Sequence, residues 1–222
     1  MKTNNFLIIS GIIFTLILIL WPLLMAISQP SGTLIEQLRW VAENTNHMKW
    51  QFFLAFLISP ALIYLMAAQL TIANIADNVL LRLGMVFLAV YVALNCISYG
   101  SQLVLVPKLL EAGMYDQLGL WYFGSEVSIA YFLNQMGYFF WAIGTLVLFS
   151  RFVPQKGVIR YISLLYVVSA FLSIVAFVGL ILDNATLNSM TFPSGLLLLP
   201  VGVITVVWGV KRRRNKSTLI EN

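Results

Sequence analysis

Residues 83–107 read LGMVFLAVYVALNCISYGSQLVLVP, 25 consecutive positions without an Asp, Glu, Lys or Arg. A helix rises about 1.5 Å per residue and the hydrocarbon core of a bilayer is about 30 Å thick, so this run is long enough to cross a membrane. Five more uncharged stretches occupy 3–35, 50–76, 127–150, 161–182 and 184–210, and the shortest, 161–182, still has 22 residues. Runs such as Leu16-Ile17-Leu18-Ile19-Leu20 and Leu196-Leu197-Leu198-Leu199 are apolar on every side. A membrane barrel would show segments of about ten residues that alternate apolar and polar positions. The reading is therefore an all-α, polytopic membrane protein, one six-helix bundle over residues 1–222. The working spans are 6–27, 50–73, 79–105, 127–150, 158–182 and 191–210.

Composition agrees with the spans. Of 222 residues, 60% are hydrophobic and 9% charged, where a soluble domain carries roughly a quarter charged residues. One His and one Cys are too few for a zinc site, a haem ligand pair or an internal disulfide, so no metal or cofactor is expected. The net charge of +5 would mislead if read as a nucleic-acid signal, because the basic residues follow topology. With six spans the termini share a side. The N-terminus, second loop, fourth loop and C-tail hold Lys2, Arg82, Arg151, Lys156, Arg160, Lys211, Arg212, Arg213, Arg214 and Lys216, while the other side holds Arg39, Lys49 and Lys108. The positive-inside rule then places both termini in the cytoplasm. Ala26-Ile27-Ser28 after a long apolar run has the form of a signal-peptide cleavage site, but a run of about 22 residues exceeds the usual 7 to 15 of a signal core, so a retained helix is expected.

On the outer side, Thr33-Leu34-Ile35-Glu36 has the form of a capping box. A short helix is expected there, with Leu34, Leu38 and Val41 at helical spacing and Trp40 nearby, lying at the interface or over the bundle mouth. Glu43 and His47 fall at i, i+4, a metal pair without a visible third ligand. The third loop carries Pro107, Gly113, Gly119 and Trp121-Tyr122-Phe123, whose default place is the headgroup belt, with a lid as the functional alternative. The basic tail 211–216 fixes topology and is suited to anionic lipid.

No Asp, Glu or Lys falls deep in a span, and Arg82 lies near a helix start. Ion-coupled carriers and intramembrane hydrolases need ionisable groups at such depths, so an enzyme is the less favoured class. The polar groups that do enter are uncharged. Asn95, Tyr99 and Gln102 lie at i, i+4, i+7 on the third span, and Asn134, Gln135 and Tyr138 enter the fourth from the same side. If the two groups face one another, they form an interhelical hydrogen-bond network or the wall of a small polar pocket, and they are the candidate ligand-binding residues. Gly195, Gly202 and Gly209, Gly137 and Gly144, and Ser169 with Ser173 mark expected packing seams. Pro60 and Pro200 are expected to kink the middles of their helices.

Between Arg82 and Phe149, Leu83-Gly84 at a helix start, Gln102 with Val106-Pro107 at its outer end, and Gly137-Tyr138-Phe139-Phe140 on the next helix resemble the bacterial integral membrane family labelled domain of unknown function 4386. The resemblance implies a bacterial plasma-membrane protein and carries no catalytic residues with it. The functional expectation is non-enzymatic binding, sensing or passage of a small neutral or amphiphilic molecule, or service as an accessory subunit to a membrane-protein partner, among membrane lipids. The alternative is an enzyme acting on lipid at the outer interface through Glu111, Asp116, Glu126 or Asp183, with His47, which requires at least two of these groups to converge.

Overall fold

The computed structural model describes residues 2–28, 30–73, 79–125 and 127–218. Among these the chain is 87% helical, with no strand, and six helical segments are long and apolar enough to cross a membrane. It is an all-α, multi-pass membrane protein. In chain order the helices are α1 (Lys2–Ser28), α2 (Leu34–Glu43), α3 (Thr45–Ile72), α4 (Val79–Glu111), α5 (Tyr115–Trp121), α6 (Ile129–Phe149), α7 (Val158–Ile181), α8 (Ala185–Asn188), α9 (Thr191–Leu196) and α10 (Leu198–Thr218).

The long helices form a ring in sequence order. α1 packs on α3, α3 on α4, α4 on α6, α6 on α7, α7 on α10, and α10 closes the circle against α1. Short connections force successive helices to run antiparallel and lie side by side. One face of the bundle carries the start of α1 and the end of α10, and the opposite face carries α2, α5 and α8.

Glycines set the closest approaches. A Cβ on Gly137 would strike the Asn95 amide, and one on Gly144 would lie 3.0 Å from the Gly84 carbonyl oxygen, which accounts for the extensive α4–α6 contact. Gly11, Gly202 and Gly209 seat α1 on α10 in the same way.

The terminal half of the ring is solid. Phe14, Leu62, Leu65, Met66, Leu88, Trp141, Phe149 and Tyr166 are buried together there. Across this packing the Gln69 amide donates to Thr205 Oγ1 at 2.7 Å, and the Tyr166 hydroxyl donates to Gln69 Oε1 at 3.0 Å. This buried layer ties α3, α7 and α10 together. Its residues are spread over three distant segments, so no local pattern in the sequence marks them.

The expected capping box is present. Glu36 N–H donates to Thr33 Oγ1, and Thr33 N–H donates to Glu36 Oε2 at 2.7 Å. That backbone donor, joined by the Thr33 hydroxyl, holds the Glu36 carboxyl below the usual carboxylate range. Leu38 and Val41 of α2 are buried with Met48, Val106, Leu109, Leu118 and Tyr122, so α2 and α5 form a second small core over the ends of α3 and α4. This explains why α4 continues past the expected end at 105 to Glu111: Val106 and Leu109 belong to that core.

The last span, expected over 191–210, lies within the continuous crossing Ala185–Asn215 and is interrupted at Leu197 between α9 and α10. Pro200 has no N–H to give the Leu196 carbonyl, so the interruption falls where a proline disturbs a helix. Pro60 does lie inside α3.

Candidate functional site

Above the solid half of the ring, toward the α2–α5 face, lies a cavity of about 340 Å³, within the range of small-molecule sites. Its walls come from α1, α3, α4, α6, α9 and α10 and include no Asp, Glu, Lys, Arg or His. One side is aliphatic and aromatic, with Leu18, Trp21 and Met25 from α1 and Phe192, Leu196 and Leu199 from α9 and α10. The other side is uncharged but polar, with Tyr99, Tyr131, Asn134, Gln135, Tyr138 and Thr191.

The structure brings together most of the residues singled out from the sequence. Tyr99, Asn134, Gln135 and Tyr138 line the cavity. Tyr99 and Tyr138 share a hydroxyl contact of 3.4 Å, with Asn134 beside both. Asn95 stands one layer behind: it accepts from the Asn134 amide at 2.7 Å and donates to the Tyr91 carbonyl oxygen at 3.1 Å. Its role is to set the Asn134 side chain, and Gly137 leaves it the space to do so.

Gln102 lies apart from the cavity wall. Its amide donates to the Trp121 carbonyl at 2.7 Å, and its oxygen accepts from Phe123 N–H at 3.0 Å. The side chain thereby substitutes for backbone partners that an irregular segment lacks. This clamp orders Trp121-Tyr122-Phe123 at the outer ends of α3 and α4. Tyr122 is 4% exposed and packed in the α2–α5 core, and burial pushes its phenol up to about 12. Phe123 stacks on Tyr99, with centroids 5.9 Å apart and planes 21° apart, and roofs the cavity.

The remaining wall residues carry weaker signals in the sequence. Asn188 donates to the Tyr131 hydroxyl at 2.8 Å, and Thr191 donates to Gln135 Oε1 at 3.0 Å. Both sit in the α8–α9 break. α8 is started by the Asn184 side chain, which accepts from Leu187 N–H at 3.0 Å, and Gly179 on α7 lets its backbone pass closely. An Asn-x-x-Leu start and the run Asn188-Ser189-Met190-Thr191 are the signals that would have found this break.

The hydrogen bonds already made in the wall define what it offers a ligand. Gln135 Oε1 is occupied by Thr191, and its amide nitrogen has no protein partner among the described residues. Tyr131 accepts from Asn188, which leaves its own proton to give. Tyr91, which forms part of the wall, is fully buried, and its hydroxyl makes no hydrogen bond of good geometry, although Ser59 lies near. Asn188 Oδ1, also in the wall, is a buried acceptor without a partner, so the wall is uncharged and offers free donors on Gln135 and Tyr131 beside a free acceptor on Asn188.

Among the described residues no hydrogen bond or ion pair joins His47, Glu111, Asp116 and Asp183 to one another, and no three His, Cys, Asp or Glu side chains come together. Glu126 lies outside the described residues. The chain matches no protein-family model, no curated protein and no solved structure.

Proposed function

We propose that this membrane protein binds a small uncharged amphiphile in the cavity at the α2–α5 end of its helix ring. The observation that carries this reading is the wall itself: an aromatic and aliphatic surface with Gln135 and Tyr131 holding donors that the protein leaves unused. These donors open onto the cavity, and an occupant that sealed them in without oxygen acceptors would forfeit roughly 1–3 kcal/mol for each, so the site favours a molecule that brings such acceptors. The absence of any charge in the wall selects against ions.

Below the cavity the ring is filled by the apolar core and by the Gln69–Tyr166–Thr205 layer, a closed arrangement that favours binding, sensing or presentation over an open channel. The excess of basic residues on the terminal face supports cytoplasmic termini, which puts the cavity in the outer half of the bilayer.

Native mass spectrometry of the protein, extracted gently from its own membrane, tests the reading. A stoichiometric neutral adduct is expected, and it is lost from Gln135→Leu. A bare chain that takes up no added neutral amphiphile counts against it.

A further inference from the structure

Three observations on the last span converge. Gly195, Gly202 and Gly209 recur on one face, yet they do different things. Gly202 and Gly209 lie against Thr15 and Ile8 of α1, whereas a Cβ added to Gly195 meets nothing within 4 Å. The seam between the first and last helices thus closes along α10 and ends at the break before it. Second, α1 packs along α10 but makes no comparable contact with α9. Third, α9 is held instead by α7: Ser169 donates to the Ser194 carbonyl oxygen at 2.7 Å, and Ser173 and Ser194 share a hydroxyl contact of 2.7 Å. All three serines are buried.

On the sixth side of the ring α1 meets α10 but few residues of α9, and Gly195 opens onto the cavity, so this thinly packed place, the parting, lies at the depth of the cavity. The residues flanking the parting are Trp21 and Met25 on α1 and Phe192 and Leu196 on α9, and all four also line the cavity. Phe192 and Leu196 are 65% and 49% exposed on the apolar perimeter of the bundle. On the opposite wall stand Gln135 and Tyr131 with their unused donors.

We propose that the cavity is filled sideways from the bilayer, through the parting between α1 and α9, by an uncharged lipid with an acceptor-bearing head and a chain that trails out past Trp21 and Leu196. This rests on the reading of the cavity as an amphiphile site and adds the source and route of the occupant. The chemistry follows from the two walls. An ester, ketone or quinone oxygen meets the Gln135 amide and the Tyr131 hydroxyl, while the chain stays among apolar side chains and never crosses water. The opposite route, from the aqueous side, is roofed by Phe123 on Tyr99 and secured by the Gln102 clamp. The glycine at 195 keeps the parting wide, because any larger side chain there projects into free space.

The test uses the full chain in phosphatidylcholine nanodiscs with a monoacylglycerol carrying a diazirine at its chain end. Label that disappears with excess untagged monoacylglycerol is mapped by mass spectrometry. Competed label on Trp21, Met25, Phe192 or Leu196 is expected. It should fall at least tenfold in Gly195→Trp and persist in Gly195→Ala, which controls for loss of the glycine itself. Competed label confined to Gln51, Phe52 and Phe123, indifferent to Gly195→Trp, overturns the lateral route and leaves the binding site standing. Absence of any competed label in the cavity overturns both.

Discussion

The side-chain amide of Asn134 donates to the side-chain oxygen of Asn95 across 2.7 Å, joining α6 to α4 between positions 39 apart in the sequence. The pair is buried, at 2% and 0% exposure, and it holds one end of the wall that presents Tyr99 and Tyr138 to the cavity. Interhelical hydrogen bonds in membranes average only about 0.6 kcal/mol, with a maximum near 1.7. Asn95→Leu and Asn134→Leu should therefore show a coupling of roughly 0.5–1.5 kcal/mol in a double-mutant cycle. Thermal unfolding in detergent measures it. Strict additivity of the two variants would show that the pair does not act as a unit.

Glycine positions separate packing from cavity. Gly137 abuts Asn95, whereas Gly195 faces open space. Gly137→Ala should destabilise by about 1–3 kcal/mol, as overpacking does, while Gly195→Ala should leave stability within about 0.5 kcal/mol or raise it slightly. Unfolding curves of the two variants, recorded side by side, decide this. Equal losses would mean that α9 is packed as tightly as α6.

Much of the architecture was legible before any coordinates. Charge spacing located six helices because a bilayer tolerates few charges and requires about 20 apolar residues per crossing. The facing of Asn95 and Asn134 could be anticipated from helical periodicity and common depth. Gln102 has the same periodicity, but it turns to the Trp121–Phe123 backbone, a partner set by loop conformation that no helical spacing reveals. The break at Leu197 escaped for a different reason. Hydropathy records only that 184–210 is apolar, and the serine contacts that divert α9 toward α7 join residues 21 and 25 apart. Asn188 and Thr191 reach the wall through that diversion.

The Gln102 clamp can be cut alone. Gln102→Leu removes the acceptor for Phe123 N–H and the donor for the Trp121 carbonyl, leaving two part-buried backbone groups unmatched at a combined cost of about 1–3 kcal/mol. Hydrogen exchange should rise across 121–125 while α4 and α6 keep their protection. Unchanged exchange in that loop would assign the roof to α2–α5 packing instead.

Alkali should loosen the α2–α5 core before it affects the spans. Burial raises the Tyr122 phenol to about 12, above its value of about 10 in an unfolded chain. Between those values the unfolded segment has already lost its proton while the folded one retains it. The contribution is therefore complete below about pH 10 and is lost as pH rises through about 12. Exchange protection in α2 and α5 should decline over that window, and Tyr122→Phe should abolish the dependence. A decline that persists in the phenylalanine variant would point to another group.

An uncharged wall with spare donors should select a neutral amphiphile over a charged one, and a matched pair of ligands separates the two. The purified protein is titrated calorimetrically with a monoacylglycerol and with an alkyl sulfonate of the same chain length. Burying an unpaired charge costs several kcal/mol, so the sulfonate should bind at least about 100-fold more weakly, each factor of ten corresponding to about 1.4 kcal/mol. Gln135→Leu should weaken the neutral ligand by about tenfold, the equivalent of one hydrogen bond. Equal affinity for the two heads, or indifference to the loss of Gln135, would refute the assignment of the cavity.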